Sequence, residues 1–343
     1  MKTMSLIGKI FLACVLCIWA SAAFAFEPIP KESGFSGFMN IGGIYLDVKS
    51  NMITGNKIAD IGKKAINSIY KSPSSETDFL PMFNFAVRYT FADTRTQIYA
   101  GNTLEDFLRF DLTGRAGVRQ ELADSSVVGA SFIFTAIPTE VWEDPYMANQ
   151  SRKETDRSAQ GLRFTWGNIL DANLDVRYTW RKVEIDDERS GMFGGLGLTP
   201  AQIALLDREG NHHRVELLYK WDFGDRHYVI PAFEYQKFDL DGDAMANDRY
   251  GVQLTYGYKG DQFSLVANGS YSYADYDKTN PIYNKGREDD IYGGSLTGFW
   301  HRAFGMPKGW SLVASVMGFK GDANIDFYDT DVVGTSLSVF YRF

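Results

Sequence analysis

Strict one-for-one alternation of apolar and polar residues recurs along most of this chain, and few folds can accommodate it. Between residues 107 and 120, Leu108, Phe110, Leu112, Ala116 and Val118 fall on one face of an extended strand. Arg109, Asp111, Thr113, Arg115 and Arg119 fall on the other. Over 172–181, Leu174, Val176, Tyr178 and Trp180 alternate with Asp175, Arg177, Thr179 and Arg181. Over 249–259, Tyr250, Val252, Leu254, Tyr256 and Tyr258 alternate with Arg249, Gln253, Thr255 and Lys259. Successive side chains of a strand point to opposite faces, so each segment has one greasy face and one charged face. The pattern predicts strands at 35–48, 79–91, 95–102, 107–119, 126–137, 158–167, 172–184, 211–222, 227–239, 247–259, 262–275, 287–301, 309–321 and 331–343. The count is about fourteen, or twelve if weak segments such as 95–102 are not strands.

Two folds use such strands: a soluble sandwich with the aromatic face inside, and a closed membrane barrel with that face outside. Link lengths favour the barrel. The predicted links alternate between short ones, such as 92–94 and 260–261, and longer ones, such as 49–78, 138–157 and 185–210, as in barrels with short periplasmic turns and long extracellular loops. The chain stops on an aromatic, Phe343, in phase with Tyr341, Val339, Leu337 and Thr335. A terminal aromatic on an alternating strand resembles the signal read by the outer-membrane barrel-assembly machinery, which is the expected partner. Phe91, Trp166, Trp221, Trp300 and Trp310 fall at predicted short-turn ends, and Tyr45, Trp180, Tyr250 and Tyr273 near the long loops, as two interfacial girdles would.

The first residues read as an export signal: Lys2 and Lys9, an apolar run over 10–20, and Ala23-Phe24-Ala25 for cleavage. Residues 1–25 are therefore predicted as a signal peptide and 26–343 as a single barrel domain. Both cysteines, Cys14 and Cys17, lie in the signal; neither follows a good lipobox, so lipid attachment is the weaker reading. The remainder has no disulfide framework. Losing Lys2 and Lys9 takes the formal net charge from −8 to −10, which argues against nucleic-acid binding. No later segment has the run of apolar residues that a membrane helix needs, but a barrel needs none, since only alternate residues meet lipid. The predicted class is an all-β, antiparallel, up-and-down transmembrane barrel in a bacterial outer membrane, in contact with lipid and lipopolysaccharide.

If the greasy face meets lipid, the other face lines the lumen. It carries Arg109, Asp111, Arg115, Arg119, Arg163, Asp175, Arg177, Arg181, Arg214 and Glu216 on one side, the residues expected to set charge selectivity. Opposite stands a small neutral wall that includes Ser270, Ser272, Ser295, Ser315, Ser336 and Ser338. Buried charges must be paired or wet, so the lumen is either a watery channel or a salt-bridged filling. The 49–78 loop is a candidate plug. Ile58, Ile61, Ala65, Ile66 and Ile69 have helix-like spacing, and 199–209 reads as a second loop helix with Thr199 as N-cap and Pro200 next.

Sites for chemistry are sparse. His212 and His213 follow a loop holding Asp186, Asp187 and Glu188, but solvated rim histidines are the simpler reading. Asp239, Asp241 and Asp243 form an acidic loop cluster that could bridge Ca²⁺ or Mg²⁺ to lipopolysaccharide phosphates; otherwise they are solvated charges. No cofactor is expected, and no enzymatic role.

Several stretches carry a family likeness: SNMITGNKIADIG, SPSSETDFLP, RYTFADTRTQIYAGN, LEDFLRFD, PTEVWEDPY, RKETDRS, IDDERSG and DLDGDAMAND. Running from about residue 50 to 250, they resemble a proteobacterial family of outer-membrane barrels of unknown function. The resemblance implies a barrel of this size and carries over no functional residue. The architecture is similar to porins, but a PEFG-type constriction-loop motif is missing. The expected function is passive diffusion of small hydrophilic or ionic solutes. The alternatives are a plugged structural or surface-binding barrel, an apolar-solute transporter with an apolar pocket inside, and a rim hydrolase.

Overall fold

A strand in a membrane must pair its backbone groups with neighbouring strands, and only closure leaves no edge. The computed structural model describes residues 28–106, 111–193 and 195–343. The predicted signal peptide lies outside them. Among the described residues, fourteen strands form the wall of one closed antiparallel barrel. In chain order they are β1 (Gly34–Lys49), β4 (Ser75–Phe91), β5 (Thr96–Asp106), β6 (Asp111–Glu121), β7 (Val127–Thr135), β9 (Glu154–Gly167), β10 (Leu174–Ile185), β11 with β12 (Gly210–Tyr219 and Trp221–Phe223, counted as one), β13 (His227–Leu240), β14 (Asn247–Lys259), β15 (Phe263–Asn280), β16 (Lys285–His301), β17 (Trp310–Ala323) and β18 (Thr330–Arg342). β1 pairs with β18 from Phe38↔Arg342 to Lys49↔Asp331, which closes the wall. The remaining strands, β2 (Ile53–Asn56), β3 (Ala59–Asp60) and β8 (Thr139–Trp142), belong to loops.

Each of the fourteen predicted segments is a wall strand, with shifted ends. Residues 103–106, expected as a link, are strand, and residues 107–110, expected as the start of the next strand, lie outside the described residues. The β15–β16 link shrinks to 281–284 because both strands run beyond the wall as a hairpin. Short links (92–95, 122–126, 168–173, 224–226, 260–262 and 302–309) share one rim with Phe343, whose N–H and C=O both bond to Gly37.

Large apolar side chains stand exposed around the outside. Ile41, Val252, Leu254 and Leu337 are each more than half exposed, with Phe132, Leu162 and Phe164 close behind. Trp166, Trp221, Trp300, Phe304 and Phe343 ring the short-link rim, while Tyr45, Tyr250 and Tyr292 are exposed on the outer face. Inside, Asn40, Asn84, Arg163, Asp175, Arg177, Thr255 and Ser338 are buried. This is a globular protein turned inside out, and a sheath of hydrocarbon is what stabilises it.

One seam is short. β4 bonds to β1 along its whole length but to β5 only from Ala86↔Gly101 to Phe91↔Thr96. Where the pair parts, the Asn102 side chain replaces the ladder: its Oδ1 accepts from Phe85 N–H (2.7 Å) and its Nδ2 donates to Phe83 O (3.0 Å).

The extracellular loops fold inward and together. The predicted helix in 49–78 does not form. β2 and β3 make a hairpin there, turned by Asn56, whose Oδ1 accepts from the N–H groups of Ile58 and Ala59. Gly55, at φ 119°, supplies a backbone conformation that L side chains rarely adopt. The helix-like isoleucines serve two different cores. Ile61 packs with Ile44, Leu46, Leu80 and Val332 on the inner wall, while Ile66 and Ile69 join Tyr146, Leu206, Met245, Ile325, Phe327 and Tyr328 above. A helix would have put them on one face. The second loop helix does form as α1 (Pro200–Ala204), with Thr199 and Gln202 in a reciprocal capping box.

Candidate functional site in the barrel lumen

The lumen has two storeys under a cap. The lower one, toward the short-link rim, takes its charge from strand parity: the inward positions of β4, β6, β9 and β10 hold Arg88, Arg115, Arg119, Arg163 and Arg177. Together with Tyr99, Thr165 and Asp175, the one carboxylate among the described lining residues, they line a polar cavity of about 70 Å³. Among the described residues that line it there are five guanidinium groups and one carboxylate, a basic lining whose field low-dielectric walls around a narrow space strengthen. Arg163 is oriented by a bond from Nε to Thr179 Oγ1 (2.8 Å), and Asp175 Oδ1 accepts from Asn168 N–H (3.0 Å).

Above this basin a polar ladder crosses β10, β11 and β13. Arg181 Nη2 lies 3.2 Å from His212 Nδ1, and His212 Nε2 lies 2.9 Å from Gln236 Oε1. Gln236 Nε2 donates to Glu234 Oε1 (3.0 Å), and Arg214 Nη2 meets Glu234 (2.8 Å) and Glu216 (3.1 Å). Arg181 can only donate, so His212 accepts at Nδ1 and donates from Nε2; the ladder fixes it as the neutral Nε2–H tautomer. On the far wall Thr255, Asn268 and Ser295 bond in series, as do Thr297 and Ser315.

The upper storey is a cavity of about 160 Å³ just below the loops. Its walls are mainly apolar, among them Ile53, Val141, Val183, Ile185 and Phe238, and four arginines reach it: Arg157, Arg208, Arg249 and Arg287. Over it lies the cap, stitched by buried polar groups. Arg152 sends Nη1 to the carbonyls of Asn51 (3.0 Å) and Pro145 (3.1 Å) and lies over the Trp142 ring at 4.2 Å. Burial draws Arg152 down to about 10, still charged at neutral pH. Asp144 accepts from the N–H groups of Tyr146, Gly191 and Phe193. Arg208 bonds to Glu188 (2.6 Å) and the Trp142 carbonyl (2.7 Å). Tyr146 and Tyr328 share a 2.6 Å hydrogen bond, and burial holds both phenols above their ordinary range, so they stay neutral.

Of the residues expected to line the lumen, Arg115, Arg119, Arg163, Asp175 and Arg177 lie together around the lower basin, while Arg181, Arg214 and Glu216 stand in the ladder. Arg109 lies outside the described residues, and Asp111 is placed only as the loop end of β6, opposite Asp106. Asp239, Asp241 and Asp243 do not form a ligand set. Among the described residues no group of three or more His, Cys, Asp or Glu is placed to hold a metal ion. The reason is local: Gly242 tucks against the Asp207 backbone, which leaves Asp241 and Asp243 in solvent. His212 and His213 point to opposite faces, and His213 bonds to Tyr178 on the outside (2.8 Å). Sequence reasoning missed Arg88, Arg157, Arg208, Arg249 and Arg287 as lumen residues, although Arg88 and Arg249 sit at inward parity. It also missed the apolar upper wall.

A family described as a protein of unknown function, DUF2860, matches residues 34–342. The chain belongs to that family. Its match spans every wall strand, so the barrel is the family domain. No curated protein matches the chain in sequence. Among solved structures, similar ones include a Pseudomonas aeruginosa FadL homologue (12% identity, 90% of each chain, TM-score 0.47). Others are the outer-membrane channel DcaP of Acinetobacter baumannii (13%, 91% of this chain and 97% of that one, 0.40) and a mutant of the TodX monoaromatic hydrocarbon channel (11%, 94% and 92%, 0.47).

Proposed function

We propose that this DUF2860 protein is an outer-membrane channel for small anionic solutes, held shut from outside by its loop cap. The observation that carries the reading is the lower basin, whose described lining holds five arginines and one carboxylate inside a lipid-facing barrel. Such a wall attracts anions and repels cations without binding either tightly. The small Ser and Gly side chains opposite leave space for solute and water.

The test is zero-current potential across a planar bilayer in a KCl gradient, with the 50–74 part of the cap removed. Lys49 and Ser75 are register partners in β1 and β4, so residues 50–74 can be replaced by a two-residue Asn-Gly turn without disturbing the wall. This barrel is expected to conduct and to prefer Cl⁻ over K⁺ roughly several-fold, as a potential of a few kT implies. Arg115→Gln with Arg163→Gln is expected to bring the ratio toward unity. Cation preference would overturn the reading. The cap also favours a second reading, a closed structural barrel; a well-inserted protein that stays without conductance after excision of 50–74 would favour it over the channel.

A further inference from the structure

The upper cavity combines a size, a wall chemistry and an unmatched charge that together specify a ligand. Its volume of about 160 Å³ is close to that of a cavity that accommodates a benzene ring, roughly 150 Å³. Its apolar walls, including Ile53, Val183, Ile185, Phe238, Met245 and Ile291, offer nothing to an inorganic ion that loses its water. Two of the arginines at its edge are already matched. Arg287 pairs with Asp289 through both Nε (2.8 Å) and Nη2 (2.5 Å), and Arg208 pairs with Glu188. Arg249 is different. It is 7% exposed, and among the described residues its Nε has no acceptor and its guanidinium no carboxylate partner. It lies 5.2 Å above the Phe238 ring, which is itself stacked on His212 at 4.1 Å and so held in place.

We propose that this cavity binds a small amphiphilic carboxylate of benzoate size, its ring among the apolar walls and its carboxylate on Arg249. A buried guanidinium without a counter-charge is costly, and a carboxylate relieves that cost with bonds shorter and stronger than neutral ones. A neutral arene would leave Arg249 unmatched; acetate would leave the walls unfilled. The inference rests on the lumen being an anion path, and it names the class of anion.

Binding is measured without conduction, by isothermal titration of the intact, detergent-folded protein with benzoate, benzamide and acetate. Saturable benzoate binding is expected, with benzamide and acetate at least about tenfold weaker. Arg249→Gln is expected to lose at least that factor and Arg249→Lys to keep most of the affinity. Ile291→Trp, which fills the cavity and leaves the charge, is expected to abolish binding. Folding of each variant is checked by heat-modifiable gel migration. If Arg249→Gln does not fold, Ile291→Trp and the benzoate–benzamide comparison decide. Absent benzoate binding, equal binding of benzoate and benzamide, or wild-type affinity in a folded Arg249→Gln or Ile291→Trp, overturns the site. Anion selectivity of the barrel lacking 50–74, persisting alongside such a result, would leave the channel reading standing, and benzoate binding in a cation-selective barrel would do the reverse.

Discussion

Asn102 does at one point what a row of backbone groups does elsewhere. Its amide takes the Phe85 N–H and the Phe83 carbonyl where β5 leaves β4, so two buried groups that would lose their ladder partner keep one. Asn102→Ala is expected to destabilise the barrel by about 1–3 kcal/mol, the cost of buried groups left unsatisfied. Urea unfolding in lipid vesicles, followed by tryptophan fluorescence, measures it; an unchanged midpoint would show that water or neighbouring chain takes over both groups. The inward arginines were legible because parity alone assigns them a face. Their grouping was not, since it depends on register across strands far apart in sequence, as with Arg88 on β4 and Arg177 on β10. Arg249 was visible in the alternation, yet nothing in its neighbourhood in sequence marks it as unmatched.

Among the elements, strands were readable and loops were not. A strand on a lipid-facing wall has its pattern enforced at every second residue, because a slip by one would put charge into hydrocarbon. Loop 50–74 meets no such constraint. Its isoleucines divide between the inner wall and the cap, so a spacing that suited a helix reflects two separate cores. The N-cap at Thr199 was legible because it is local; Gln202, three residues on, completes a capping box that the structure adds. The cap depends on few polar stitches, and Arg152 holds three carbonyls from two loops, those of Asn51, Lys63 and Pro145. Arg152→Met is expected to loosen loop 50–74 and raise single-channel open probability several-fold in planar bilayers, short of full excision. A silent Arg152→Met barrel beside a conducting excised one would mean that the apolar cap core suffices without the stitch.

At the scale of the molecule, the barrel is an inverted protein: apolar residues outside, charges within, loops folded over one mouth. Leu254 stands near the middle of β14 and is 54% exposed. In a soluble protein, Leu254→Arg at such a site would be close to neutral. In a bilayer it is expected to cost about 2–4 kcal/mol, measured by urea unfolding in vesicles. A cost near zero would place that face in water. The most direct test of the inversion is a nitroxide scan of β14 in liposomes. Single cysteines are introduced from Gly251→Cys through Tyr256→Cys on the chain from residue 26 onward, which contains no native cysteine since Cys14 and Cys17 precede it. A lipid-facing apolar face gives a period-two oscillation in collision with molecular oxygen, with maxima at positions 252, 254 and 256 and minima between them. Maxima at 251, 253 and 255, or a flat profile, would contradict it.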